Sequence, residues 1–205
     1  MRVERWLPLS GIVFVVLVLA AWVGGGSTPD SNSAAAKVAS FYDAHSTRHF
    51  VLAVVLAAAA PFAVLFGTSL AGGGRRAWNL AVIAAAGVVG ALFLVAALVH
   101  FALTDAGNNG VGGDAIRALN TIDADTWIGF NGALGTFMLA ASGLHLTAHK
   151  APRWLGWVAL VLGIALFIPF ADFVALILTG VWFLVESVQL TRQADTSPEV
   201  ALGTT

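Results

Sequence analysis

The chain has 205 residues, 59% of them hydrophobic, with only 10 basic and 11 acidic side chains. That is 10% charged against about 25% in a typical soluble domain, too few to cover the surface of a water-soluble fold, and the mean hydropathy is +0.87. A formal net charge of −1 offers no general attraction for a phosphate backbone and excludes a nucleic-acid binder, and the absence of cysteine excludes disulfides, thiolate metal sites and cysteine nucleophiles.

Crossing the hydrocarbon core takes about 20 predominantly apolar residues. Six segments fit: 7–23, 50–70, 77–103, 126–146, 152–168 and 171–190. None shows the period-2 alternation of a strand or a membrane barrel. The expected fold is therefore all-α: a polytopic integral membrane six-helix bundle. The first segment has a basic start at Arg2 and Arg5, as a signal peptide would, but its end at Trp22 and Val23 reads as a retained span. Basic residues set the orientation. With the N-terminus inside, Arg2, Arg5, Arg75, Arg76, Lys150, Arg153 and Arg192 fall on the inner side, and Lys37, Arg48 and Arg117 on the outer side. This predicts both termini in the cytoplasm and a protein of the cytoplasmic membrane.

Between the first two spans, residues 24–49 open with Gly24-Gly25-Gly26 and become helical from about Ser33, a candidate N-cap. Residues 104–125 open with a Gly/Asn-rich turn, Ala106 to Gly113, followed by a short amphipathic helix with Ile116, Leu119 and Ile122 on one face. These two outer segments, 33–49 and 114–122, are expected to form a small helical cap. Residues 1–191 then form one membrane domain, and 192–205 a disordered cytoplasmic tail. Small residues at spacing four occur at Ala77, Ala81 and Ala85, at Gly87 and Ala91, at Gly129 and Ala133, at Gly132, Thr136 and Ala140, and at Ala159 and Gly163. They let helices approach closely in lipid, within the chain or across a homodimer face. Trp6, Trp22, Trp78, Trp127, Trp154 and Trp157 lie near span ends as interfacial anchors, with Trp182 deeper.

Ionisable groups inside a membrane are costly and are candidates for function. In the outer set, Val38, Tyr42, His45 and His49 share one face of a helix leading into the second span. His45 and His49, at i and i+4, are a workable ligand pair, and His100 lies one turn below the outer end of the third span. Three imidazoles with a carboxylate from Asp105, Asp123 or Asp172 would suit zinc or another borderline divalent cation. The plainer reading leaves His45 and His49 exposed and His100 bonded to a neighbouring helix. Asp172 follows the Pro169-Phe170 turn, where it can cap the sixth span or line a shallow outer cavity with His100. The inner set is His145, His149 and Glu186, a structural ion pair or a proton relay. No phosphate loop and no Gly-x-Ser-x-Gly elbow is present.

The stretches Ser40-Phe41-Tyr42-Asp43 with Arg48-His49, Ala118-Leu119-Asn120-Thr121-Ile122-Asp123, and Pro152-Arg153-Trp154-Leu155-Gly156-Trp157 resemble a family of small six-span membrane proteins of unknown function. That family is bacterial and mainly actinobacterial. The resemblance implies six helices in the cytoplasmic membrane and assigns no site residues. The leading functional expectation is a non-enzymatic protein binding a ligand, a lipid or a membrane-protein partner through its outer end. The alternatives are a metal-dependent, hydrolase-like enzyme using His45, His49 and His100, and a small proton, cation or small-molecule transporter marked by Asp172 and Glu186.

Overall fold

The computed structural model describes residues 6–72, 75–147 and 152–196. The fold is all-α. A 3-10 turn at Leu7–Leu9 leads into α1 (Ser10–Gly25), followed by α2 (Ala35–Ala44), α3 (Ser46–Leu70), α4 (Arg76–Asn108), α5 (Asp114–Thr147), α6 (Arg153–Ala165) and α7 (Asp172–Thr196). Among the described residues four stretches are long and apolar enough to cross a membrane: Leu7–Gly25, Ser46–Leu70, Arg76–Asn108 and Asp172–Ala194. The other two expected spans fall short for different reasons. α5 carries Asn131, Ser142 and His145 within its apolar half. The 13 residues of α6 rise only about 20 Å.

The longest helices overrun the expected boundaries. α4 continues through Asp105 to Asn108, so the Gly/Asn turn shrinks to residues 109–113. The amphipathic segment 114–122 is the first part of α5 and not a separate helix. Its Ile116 is fully buried, whereas Ile122 is exposed. Ala34 and not Ser33 precedes α2 as its N-cap. The segment after Arg192, expected to be disordered, is helical as far as Thr196. Arg2, Arg5, His149 and Lys150 lie outside the described residues.

Close helix contacts form where a glycine removes a side chain. A Cβ on Gly67 would collide with the Ala86 side chain, and one on Gly90 would lie 3.0 Å from the Ala60 carbonyl. These positions seat α3 against α4, the most extensive helix pair in the fold. Gly163 similarly seats α6 against Leu139 of α5. Gly87 and Gly132, expected at such interfaces, face open space. The main core runs through the bundle around Phe14, Phe66, Phe93, Phe137, Trp182 and Phe183.

A second, smaller core sits at one end. It joins Val38 and Tyr42 of α2 to Val99, Leu103 and Ala106 of α4 and Ile116 of α5. Here Gly107 is essential: a Cβ on it would come within 3.0 Å of Tyr42 and the Asp43 backbone, so α2 lies directly on the end of α4. Asn120 fastens the loop before α2, its amide donating to the carbonyls of Pro29 (3.3 Å) and Asp30 (3.0 Å). Helix α2 and the start of α5 thus pack over the end of α4, and this small core marks the capped end of the molecule.

Candidate functional site

Two buried polar clusters lie at opposite ends of the bundle. The first sits under the cap. His45 breaks the helix between α2 and α3, with φ −118° and ψ 22°. The expected continuous helix over 33–49 is thus two helices, and the change of direction separates the two histidines. The His45 ring is exposed, stacks on Phe41 and hydrogen-bonds the Phe41 carbonyl at 2.8 Å through Nδ1. His49 is fully buried. Its ring meets Tyr42 edge-on at 4.9 Å and stacks on His100 at 5.8 Å, centroid to centroid.

His100 in turn faces Asp123, with Nε2 3.5 Å from Oδ1. Tyr42, His49, His100 and Asp123 therefore come together from α2, α3, α4 and α5. The hydrogen-bonding capacity of this set is largely unused. The Tyr42 hydroxyl, both nitrogens of His49 and Nδ1 of His100 have no hydrogen-bond partner among the described residues. Most buried polar atoms in folded proteins do have one. Burial pushes the Asp123 carboxyl up to about 6, and burial followed by the Asp123 charge raises the Tyr42 phenol. Among the described residues no three His, Asp or Glu side chains form a group able to hold a metal ion.

The remaining candidates at this end are engaged elsewhere. Asp172 begins α7, where one oxygen accepts the Phe173 amide at 2.9 Å. The other accepts the Trp127 indole (2.9 Å) and the Asn131 amide (2.8 Å). It thus serves the helix N-terminus, where the dipole favours an anion, and His100 is paired with Asp123 instead. Asp105 is exposed and accepts from the Asn109 amide at 2.9 Å. Trp127, expected as an anchor, and Asn131, which has little meaning in the sequence alone, hold the start of α7 against α5. Asn120 could have been recognised as a polar residue four positions from Ile116, on the buried face of the amphipathic segment.

The capped-end cluster borders a cleft. A space of about 470 Å³ runs between α1 and α7 on one side and α4 and α5 on the other. His100 and Asp123 line its polar end, and Phe14, Leu19, Phe93, Phe130 and Phe183 are among its apolar walls. It reaches along α1 from Gly25 to Phe14, about 16 Å of helix. Trp22, stacked on Trp127 at 6.4 Å and packed on Phe173 at 5.6 Å, bridges α1, α5 and α7 near the polar end. Gly180 also lines the cleft, and a Cβ there would meet only Val15, at 3.9 Å.

The second cluster has the same pairing and a different setting. His145 of α5 and Glu186 of α7 approach to 3.5 Å, each side chain no more than 3% exposed. Of the histidines expected near Glu186, His145 is the one among the described residues, and it faces Glu186 directly. The Trp182 indole stands edge-on to the His145 ring at 6.0 Å and donates to the Leu155 carbonyl at 3.1 Å. Ser187 is fully buried beside Glu186 in sequence, and its hydroxyl has no hydrogen-bond partner among the described residues. No lining residue of the cleft belongs to this cluster.

No protein-family profile matches the chain, and no curated protein or solved structure is similar to it.

Proposed function

We propose that this chain is a multi-pass protein of the bacterial cytoplasmic membrane that binds a small amphipathic ligand or lipid, without chemical turnover, in the cleft at its capped end. The four long apolar helices support a membrane location, with α5 and α6 completing a six-span bundle. The basic residues of the sequence favour cytoplasmic termini and a capped end facing outward. The resemblance to small six-span, mainly actinobacterial membrane proteins agrees with that placement.

One observation carries the ligand reading: a cleft of about 470 Å³, walled by apolar side chains and ending in His100 and Asp123. Its size and its few polar groups match the ordinary character of small-molecule sites. Native mass spectrometry of the gently extracted protein tests it. A bound amphiphile is expected on the wild type and lost in Gly180→Leu, whose side chain fills the cleft from a position with room for it. An equally loaded Gly180→Leu protein would contradict the reading.

A second reading, proton movement, is favoured by the buried His145–Glu186 pair, because ionisable groups inside a membrane bundle often serve proton transfer. Acidification of liposomes carrying the wild type, abolished by Glu186→Gln, would support it. Identical traces for both proteins would remove it.

A further inference from the structure

The polar end of the cleft is selective in the kind of head group it can accept. Asp123, in the same cluster as Tyr42, presents its carboxylate to His100 at 3.5 Å. That is too long for a strong charge-assisted hydrogen bond, and no described side chain or backbone amide donates to Asp123. Its lone pairs are therefore left for something in the cleft. His100 holds one nitrogen toward Asp123, and its other nitrogen has no partner among the described residues.

Among the described residues no Lys or Arg lines the cleft. Arg48, at the same end of the bundle, lines an adjoining groove between α1 and α3, with its guanidinium against Gly26 at the edge of the cleft and its Nε donating to the Gly24 carbonyl at 2.6 Å. A phosphate or carboxylate head placed beside His100 would meet the acidic side chain of Asp123, while the guanidinium of Arg48 is already turned to the Gly24 carbonyl. A head that donates hydrogen bonds would complete Asp123. The apolar walls of the cleft suit an alkyl or isoprenoid tail.

The geometry points to a specific ligand class: a single-tailed amphiphile with a neutral hydroxyl or a protonated amine, its head donating to Asp123 beside His100 and its tail lying along the cleft between α1 and α7 on one side and α4 and α5 on the other. This rests on the cleft being the binding site and adds the charge and polarity of the head group. Ionised Asp123 favours the amine electrostatically, and either head satisfies the same acceptor. A hydrogen bond to a charged group contributes about 1.5–3 kcal/mol, or about tenfold or more in affinity.

The test uses the full chain in phosphatidylcholine nanodiscs at neutral pH, with oleyl alcohol, oleylamine and oleate as radiolabelled probes. The alcohol and the amine are expected to bind about tenfold or more tightly than oleate. Asp123→Asn, which keeps an acceptor and removes the charge, should retain the alcohol and lose the advantage of the amine over it. Asp123→Leu should weaken both about tenfold while His45→Ala leaves them unchanged. Gly180→Leu should abolish all saturable binding. Oleate binding as tightly as the alcohol, and blocked by Gly180→Leu, would overturn the head-group assignment and leave the cleft as a ligand site. Binding of no probe, or binding indifferent to Gly180→Leu, would overturn both.

Discussion

The two ends of the bundle use the same chemical pair, a histidine facing a carboxylate at 3.5 Å, in opposite settings. At the capped end, His100 and Asp123 each keep 13% of their side-chain surface and border a cleft. At the other end, His145 and Glu186 are almost completely enclosed beside Trp182. The capped pair is assembled by elements that a loop and a short helix hold in place. The enclosed pair links two long helices, α5 and α7, near the other end of the bundle. Composition alone therefore does not distinguish a ligand site from an internal tether; access to a cleft does.

The comparison can be broken most forcefully at the enclosed pair. Removing one partner of a buried ionic or hydrogen-bonded pair costs about 3–5 kcal/mol. Glu186→Ala is expected to approach that cost, measured by reversible unfolding in mixed micelles. A cost below about 1 kcal/mol would show that the pair is not a tether.

At the capped end, the largest effect is a pH dependence. Asp123 has its carboxyl raised from 3.8 to about 6. Between those values the folded chain holds more protons than the unfolded one. The contribution of this group to stability is therefore greatest below about 4 and is lost as the pH rises to about 6, by at most about 3 kcal/mol in all. Asp123→Asn should remove this slope. A slope that persists in the variant would assign it to another group.

Gly107→Leu should cost about 1–3 kcal/mol through overpacking, because its Cβ would collide with Tyr42 and the Asp43 backbone. Limited proteolysis should then cut α2 while leaving α4 intact. Loss of the whole bundle would mean that the cap and the bundle fold as one unit. The smallest effect belongs to His45→Ala, expected within about 0.5 kcal/mol of wild type, because the ring is exposed and stacks only on Phe41. His49→Ala, by contrast, removes a fully buried ring and should cost about 2 kcal/mol or more.

Much of this arrangement was legible in the sequence, because span length and amphipathic periodicity are properties of one helix at a time. The four long apolar helices and the buried face of the amphipathic segment at Ile116 could be read that way. What lay beyond it was the relation between helices. Tyr42, His45 and His49 have the spacing of one helical face, yet the backbone break at His45 sends that ring outward. Asp172 and Asp123 are equally placed as partners for His100. Only the capture of Asp172 by Trp127 and Asn131 leaves that role to Asp123. The cleft arises from the separation of α1 and α7 from α5, which no single-helix pattern encodes.

The most direct measurement compares the access of the two clusters. Histidine acylation by diethyl pyrocarbonate, mapped by peptide mass spectrometry on the protein in nanodiscs, reads His100 and His145 in one experiment. His100 should react and be protected by oleyl alcohol, while His145 stays unmodified with or without it. Equal reactivity of the two residues, or no protection of His100, would contradict the account that the capped pair opens onto a ligand cleft and the other pair is sealed in the bundle.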